Sequence, residues 1–403
     1  MFNQIGTIHN YFFLLIFVCN ISLTNYAAAY NKITVIGIGK LGLCASLCFE
    51  QAGYEVMGID IDQAYVNSLN NKTFHSLEPH VNTLLQNSIH FTASCSLDEG
   101  LAFSDIYYIM VDTPTTPEKE AYDHAKLNRI LSEINKRNVA NKHIIISCTI
   151  FPGYIRTTGN DLIKDCIHTT LSYNPAFIAQ GNIVYGLQYP DIILIGQGSP
   201  EAGDIIESIH HRICKNTPQV CRMSPDSAEI TKLAVNCFIT TKIAYANMVA
   251  DIADNTPGAD KYDILYAIGH DARIGSLCLK PGYGFGGPCF PRDNRALGSY
   301  AQLVGIEPLI PQATDTANKL HAHYMANRLL DDNQTVYTFQ QVAYKDNCQV
   351  PIIEESQKLA VAATLARKGK NVLIVDTEPV IKEVQKSFGN LFEYQIISTI
   401  EKL

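Results

Sequence analysis

The sequence has no long basic run, no CxxC pair, no Cys/His cluster at metal-ligand spacing and no uninterrupted apolar stretch long enough to cross a bilayer. Each absence removes a class of function. With 31 Lys and Arg against 39 Asp and Glu the net charge is -8, so neither nucleic acid nor an anionic membrane is an expected partner. A polyanionic small ligand stays open, because a local site needs only a few donors. The twelve cysteines are scattered, which excludes a disulfide framework and leaves no zinc site, so no metal is expected. Most of them read as small buried hydrophobes, among them Cys44 and Cys48 at i,i+4. Charged residues are only 17% against 47% hydrophobic, a globular composition rather than a disordered one. A length of 403 residues exceeds one hydrophobic core and implies two or three domains.

Residues 1–30 stand apart. Tyr11 to Cys19 is an apolar run followed by Ala27-Ala28-Ala29, but no Lys or Arg precedes it. It is far short of the roughly 20 residues needed to span a membrane. The segment reads as an N-terminal extension or a weak signal-like piece, and the folded remainder is expected in the cytoplasm.

From Lys32 the pattern alternates strand and helix. Strands are expected at Ile33–Ile36, Glu55–Ile61, Asp105–Val111, His143–Ile150, Thr169–Tyr173 and Asp191–Ile195, with a helix from Leu41 to Ala52 closed by Gly53. Apolar runs separated by helices predict a parallel sheet covered on both faces. A long helix is expected from Ser224, with Pro225 at its first position and Asp226 and Glu229 as a capping box, to about Asp254. Further helices are expected at Leu297–Val304 and Pro311–Leu330. Then come a strand at Val336–Tyr344, a helix at Ser356–Lys368 and a strand at Asn371–Asp376.

Gly37-Ile38-Gly39-Lys40-Leu41-Gly42 is G-x-G-x-x-G between a strand and a helix. The first glycine permits the turn, the second lets backbone approach a pyrophosphate, and the third lets the helix pack on the strand. The helix N-terminus offers free N–H groups to the phosphates. Asp60, ending the next strand, suits a ribose 2′-hydroxyl and would repel a 2′-phosphate, so NAD is favoured over NADP. Asp62 fits the N-cap of the following helix. The fold class is therefore α/β: an N-terminal Rossmann-type parallel-sheet domain over 31–222, a central helical domain over 223–330, and a smaller, truncated Rossmann-like C-terminal domain over 331–403.

Tyr283-Gly284-Phe285-Gly286-Gly287-Pro288-Cys289-Phe290-Pro291-Arg292-Asp293 is the most informative stretch. Glycines around Phe285 suit a loop whose backbone comes close to a ligand. Cys289 with Asp293 one helical turn on pairs a nucleophile with an acid/base group. A thiolate can add to an aldehyde, and the thiohemiacetal can lose a hydride to become a thioester. A structural cysteine in a glycine-rich turn fits the same residues equally well.

Taken in order, the fingerprint, Val111-Asp112-Thr113-Pro114, Cys148-Thr149-Ile150-Phe151-Pro152, Asn174-Pro175-Ala176-Phe177, Lys232-Leu233-Ala234-Val235-Asn236, Asp271-Ala272-Arg273-Ile274-Gly275 and the cysteine loop resemble the UDP-glucose/GDP-mannose dehydrogenase family. The resemblance covers Lys32 to about Asp376. It implies that C6 of a nucleotide-linked hexose is oxidised twice with two NAD+. By the same resemblance Cys289 is the nucleophile, Lys232 the essential lysine, Asn236 its companion, Asp293 the residue that helps activate water, and Thr149 an active-site edge residue. Lys232 and Asn236 share a helix face and could together stabilise an oxyanion. Thr113, Thr149 and Lys345 fall at the cofactor. Phe177, Ile178, Lys280, Tyr283, Gly284, Phe285 and Gly286 fall along the sugar nucleotide. Arg273 is implied to reach the substrate of a neighbouring subunit, hence at least a homodimer.

Four departures matter. Ala176 stands where the family has glutamate, and a methyl group does no acid/base work. Gln180 replaces a second glutamate and Glu354 an arginine. The C-terminal domain stops early. These changes leave the hydride-transfer residues intact, so thioester hydrolysis is the vulnerable step. The cysteine loop is closer to the UDP-glucose branch than to the N-acetylhexosamine branch, with GDP-mannose as alternative substrate. Two other readings compete. One is a pseudoenzyme that binds NAD and a nucleotide sugar. The other is a β-hydroxyacid dehydrogenase, which has a helix-borne lysine but no cysteine nucleophile.

Overall fold

The computed structural model describes residues 30–116, 121–348 and 350–398, so the expectation for the N-terminal apolar segment lies outside the described residues. The chain forms two compact units. The first comprises most of the chain up to Ile230, and the second takes Thr231 onward together with Thr115–Ala121.

In the first unit the order is β1 (Lys32–Ile36), α1 (Lys40–Gln51), β2 (Glu55–Ile59), α2 (Gln63–Asn70), α3 (Val81–Asn87), β3 (Phe91–Ser94), α4 (Leu97–Phe103), β4 (Ile106–Ile109), α5 (Ala125–Lys136), β5 (His143–Ile146), β6 (Thr170–Tyr173), α6 (Ile183–Gln188), β7 (Ile192–Gly196), α7 (Pro200–Ile213) and β8 (Gln219–Met223). These strands make one eight-stranded sheet, order β8-β7-β6-β5-β4-β1-β2-β3. Alternate residues of β1 serve two cores: Ile33 and Val35 join one apolar cluster and Ile36 the other. Burial on both faces is why the central strands are continuous apolar runs. Thr34, fully buried between them, is satisfied by donating its hydroxyl to the Gly100 carbonyl at 2.7 Å.

The structure corrects three expectations here. The sheet is not wholly parallel, because β6 and β7 pair antiparallel through Tyr173 and Gly196. The second strand stops at Ile59, and Ile61 is 92% exposed. The strand at His143 stops at Ile146, so Ser147, Cys148 and Thr149 leave the sheet as a loop. β3 and β8 were not expected.

α8 (Pro225–Asp254) begins in the first unit and continues into the second. Ser224 caps it, its hydroxyl accepting the Ser227 N–H at 3.3 Å. The expected capping box does not form. Asp226 pairs with Arg156, and Glu229 turns to the backbone N–H groups of Gly153 and Ile155. By length and composition α8 could cross a membrane, contrary to the expectation from sequence. It nonetheless carries buried Glu229 and Lys232, which would be costly in hydrocarbon.

The second unit continues with α9 (Lys261–His270), α10 (Phe290–Leu303), α11 (Leu309–Asp331), β9 (Tyr337–Gln340), α12 (Gln357–Arg367), β10 (Val372–Thr377), α13 (Glu378–Phe388) and β11 (Glu393–Ile397). The three strands form a parallel sheet, order β9-β10-β11. Tyr337, Leu359, Val361, Ile374 and Ile381 build its core, on which Ala322 and Ala326 of α11 also pack. The central helical segment and the C-terminal sheet therefore share one unit.

Candidate active site

In the first unit, β1 lies between β2 and β4. The chain winds outward in opposite senses from that point, which opens a crevice at the carboxyl ends of these strands. Gly37 follows β1 with φ +89. A Cβ there would stand 2.8 Å from Val111 and 3.1 Å from the Met110 carbonyl. A Cβ on Gly42 would stand 2.0 Å from the Gly37 oxygen, so α1 can close onto the turn only with glycine. At Gly39 a Cβ would meet nothing within 4 Å. That open side, at a helix start with no side-chain cap, leaves backbone N–H groups for an anion. The residues present fit a dinucleotide.

The flanking residues are ordered around this turn. Ile38 is buried, and its carbonyl accepts from Tyr65 Oη at 2.7 Å. Lys40 is exposed and reaches Gln180 Oε1 at 3.5 Å, and Leu41 is half-buried. Asp60 is half-exposed, its Oδ1 accepting the Asp62 N–H at 3.2 Å. Asp62 caps α2, as its position implied, by accepting from Tyr65 N–H at 3.0 Å. After β4 and β5, the buried Thr113 hydroxyl donates to the Thr149 carbonyl at 2.7 Å and ties the two loops together. Phe177 and Ile178 are half-buried. Buried Glu78, which sequence reasoning passed over, holds their segment by accepting the Gly181 N–H at 2.7 Å. Ala176 lines a cavity of about 30 Å³ with Asn174, Ser147 and His210. His210 bonds Asn174 at 2.7 Å, and burial lowers its pKa to about 4, so it is neutral.

In the second unit, Cys289 stands at the N-terminus of α10, its carbonyl accepting the Asp293 N–H at 2.8 Å. Asp293 is buried, and its Oδ2 accepts from Asn236 Nδ2 at 2.7 Å. Its backbone carbonyl accepts from the Cys237 thiol at 3.4 Å. Arg292 lies 3.8 Å from Asp293 Oδ1. Lys232 is buried; desolvation lowers its pKa, and Asp293 and Cys289 oppose that shift. Burial and then Asp293 raise the Cys289 pKa, while Arg292 and Lys232 pull it down. Four sequence-predicted residues thus meet in one place: Cys289, Asp293, Lys232 and Asn236. The amide nitrogen of Asn236 serves the Asp293 carboxylate. Arg292 was missed, although it adjoins Asp293 in sequence.

The glycine-rich loop is clamped at every step. Gly282 donates its N–H to Asn247 Oδ1 at 3.0 Å, and its carbonyl accepts from His321 Nε2 at 2.7 Å. Asn318 brackets Phe285, accepting its N–H and donating to its carbonyl, each at 2.9 Å. A Cβ on Gly284 would stand 2.1 Å from Asn318 Oδ1, and one on Gly286 would stand 2.3 Å from the Glu355 carbonyl. Gly287 donates to the Glu354 carbonyl at 2.9 Å. Phe285 is 3% exposed, so this loop offers backbone rather than that ring. Tyr283 is half-buried beneath the Lys358 ammonium, and Lys280 is exposed. Arg273 is exposed and paired with Asp271 at 2.7 Å. Lys345 lies 5.6 Å from the Tyr344 ring centroid, in the other unit from the fingerprint. Asn247 and Asn318 were also missed. The signal was there: Asn247 lies eleven residues, about three helical turns, after Asn236, and so on the face that already carries Lys232 and Asn236. Among the described residues no group of three His, Cys, Asp or Glu side chains could hold a metal ion.

Residues 31–214 match the NAD-binding domain of the UDP-glucose/GDP-mannose dehydrogenase family, and residues 226–320 match its central domain. The UDP-glucose 6-dehydrogenase TuaD of Bacillus subtilis (strain 168) is 30% identical over 74% of this chain and 65% of its own length. The chain therefore spans just under two thirds of that relative. A UDP-glucose 6-dehydrogenase of Rickettsia bellii (strain RML369-C) is 29% identical over 89% of this chain and 83% of its own. The solved structure of a UDP-glucose dehydrogenase from Pyrobaculum islandicum superposes with a TM-score of 0.82 at 25% identity, covering 91% of this chain and 86% of that one.

Proposed function

The chain belongs to the UDP-glucose/GDP-mannose dehydrogenase family, and from that we propose that it oxidises the C6 alcohol of a nucleotide-linked hexose to the carboxylate, UDP-glucose to UDP-glucuronate first among candidates. The observation that carries this reading is the meeting of Cys289, Lys232, Asn236 and Asp293 around the start of α10. Hydride acceptance is the chemistry NAD+ supplies when bound at Gly37–Gly42 and Asp60.

The chain's own residues hold the carbon between oxidations. Cys289 Sγ adds to the C6 aldehyde to give a thiohemiacetal; loss of the second hydride and a proton turns that adduct into a thioester, and water splits it, releasing the carboxylate and restoring the thiol. The buried thiol is pushed up in pKa, so thiolate forms against burial. Arg292, Lys232 and the positive end of α10 favour it. The Lys232 ammonium, poorly solvated, is placed to stabilise an oxyanion. Asn236 orients Asp293, which activates the attacking water. In the first unit Thr113 and Thr149 order the cofactor edge, with Phe177 and Ile178 as its candidate sugar-nucleotide contacts; in the second unit the candidates are Lys280 and the Tyr283–Gly286 backbone.

The slow step is hydrolysis. The cavity beside Ala176 is lined by no carboxylate to replace the family glutamate: His210 there is neutral, and burial raises the pKa of the Cys48 thiol and the Tyr108 phenol so that both stay protonated. Stopped-flow mixing with NAD+ and UDP-glucose, GDP-mannose or UDP-N-acetylmannosamine is expected to give two NADH per sugar, with a burst and then slow turnover. Steady turnover at roughly 10 s⁻¹ or above would remove the bottleneck, and one NADH per sugar would return the β-hydroxyacid dehydrogenase reading. Cys289 is expected to take up iodoacetamide and to be shielded by UDP-glucose; an inert thiol favours the pseudoenzyme.

We also read the chain as a cytoplasmic homodimer. Phe238, Tyr245, Met248 and Ile252 form an exposed apolar stripe along α8, which a second copy would cover. Arg273, exposed after α9, is then available to a neighbour.

A further inference from the structure

His321 lies inside the second unit on α11 and is 8% exposed. Its two ring nitrogens face two acceptors. Nδ1 is 2.8 and 3.1 Å from the Asp251 carboxylate oxygens on α8. Nε2 is 2.7 Å from the Gly282 carbonyl. A neutral imidazole has one donor and one acceptor nitrogen, so it can satisfy only one of these partners. Facing a carboxylate and a carbonyl at once, the ring satisfies both only as imidazolium.

We propose that His321 is a positioning residue for the sugar-nucleotide loop: its proton locks Gly282, and through it the Tyr283–Gly286 backbone, in the binding shape, so that substrate affinity is linked to one proton. The claim rests on the reading that this loop takes the nucleotide sugar. Gly282 is the loop's first anchored residue, and its N–H is held by Asn247 one turn before Asp251 on the same helix. Losing the proton leaves either the carbonyl or the carboxylate without its donor. One arm of a two-sided clamp then opens, and Gly282, a glycine, has no side chain to resist the change.

The charges around the ring agree. Burial lowers the imidazole pKa, but the hydrogen bonds to Asp251 and Gly282 and the Asp251 charge more than offset it, and the net shift is upward. Lys261 at the start of α9 is the cation that opposes. It is paired with Asp254 at 3.0 Å, a carboxylate it shares with Arg328 of α11. Tyr283, the phenol on the loop, is raised in pKa by burial and by Asp346 and stays neutral. Above the imidazole pKa the lock is lost, and below it the lock is complete.

The test is calorimetric titration of UDP-glucose, without NAD+, from about pH 6 to about pH 9. For the wild type, Kd is expected to rise about tenfold per pH unit above the imidazole pKa, the slope of one linked proton. H321Q keeps an amide donor but cannot titrate, and its Kd is expected to be flat. D251N is expected to move the wild-type break to lower pH, a shift that a merely structural histidine would not produce. Hydrogen exchange over residues 281–286 of the free protein, corrected for intrinsic pH dependence, should step at the same pH in the wild type only. Equal slopes in the wild type and H321Q, or no step in wild-type exchange, overturn the proposal. If the loop steps but UDP-glucose never binds, the lock stands and the substrate reading is what fails.

Discussion

Two glycines in one turn separate folding from binding. Gly42 abuts the Gly37 carbonyl, whereas Gly39 faces open space at φ -62. Gly42→Ala forces a methyl into backbone at 2.0 Å, so α1 must shift. Overpacking of this kind costs about 1–3 kcal/mol, more than the gain in helix propensity of about 1 kcal/mol. Gly39→Ala meets no steric penalty, yet its methyl stands where a pyrophosphate would approach. Thermal unfolding and NAD titration on both variants should therefore diverge. Gly42→Ala is expected to melt several degrees lower, and Gly39→Ala is expected to keep its melting temperature and lose most NAD affinity. If Gly39→Ala binds NAD as the wild type does, the second glycine is not where the cofactor approaches.

At the level of single elements, α8 holds a buried carboxylate with an unusual job. Glu229 accepts the N–H groups of Gly153 and Ile155, anchoring the turn that follows the Thr149 loop. Burial raises its pKa from 4.5 to about 7, against the lowering effect of those N–H bonds. The folded state then binds this proton more tightly than the unfolded chain. Its stabilising contribution is complete below pH 4.5 and is lost as pH rises through about 7. Urea unfolding midpoints across that window are expected to fall with pH in the wild type and to fall less steeply in E229Q. Identical slopes would show that Glu229 ionises freely. The sequence placed Glu229 in a capping box, because local spacing is visible and a partner seventy-odd residues away is not. The same limit explains the strands. β1, β4, β5 and β10 were legible because burial on two faces makes them plain apolar runs. β3, β8 and β11 were not, and each lies at a sheet edge, where half the packing is missing and polar residues are tolerated. That Cys289, Asp293, Lys232 and Asn236 meet was legible in the sequence. The bond from Asn236 to Asp293, and the clamp formed by Asn247, Asn318 and His321, depend on which helices meet and could not be read.

On the whole-molecule scale, α8 has an inverted character. Glu229, Lys232, Asn236, Thr240 and Asn247 are buried, and Phe238, Tyr245, Met248 and Ile252 are exposed. Tyr262 and Tyr266 of α9 are exposed as well. A second copy over the apolar stripe would account for this arrangement. Sedimentation velocity is expected to show a dimer for the wild type and a monomer for F238E/Y245E; a wild-type monomer would leave the stripe without its proposed partner.

The inversion has a consequence for how this helix tolerates change. A typical amphipathic helix has an idle side where neutral drift accumulates. Under the proposed function that refuge is missing along α8: one side carries the proposed chemistry and the other the proposed assembly. Saturation mutagenesis scored by survival should find an unbroken intolerant stretch through its middle turns, with none of the usual three-to-four-residue rhythm of permissive sites.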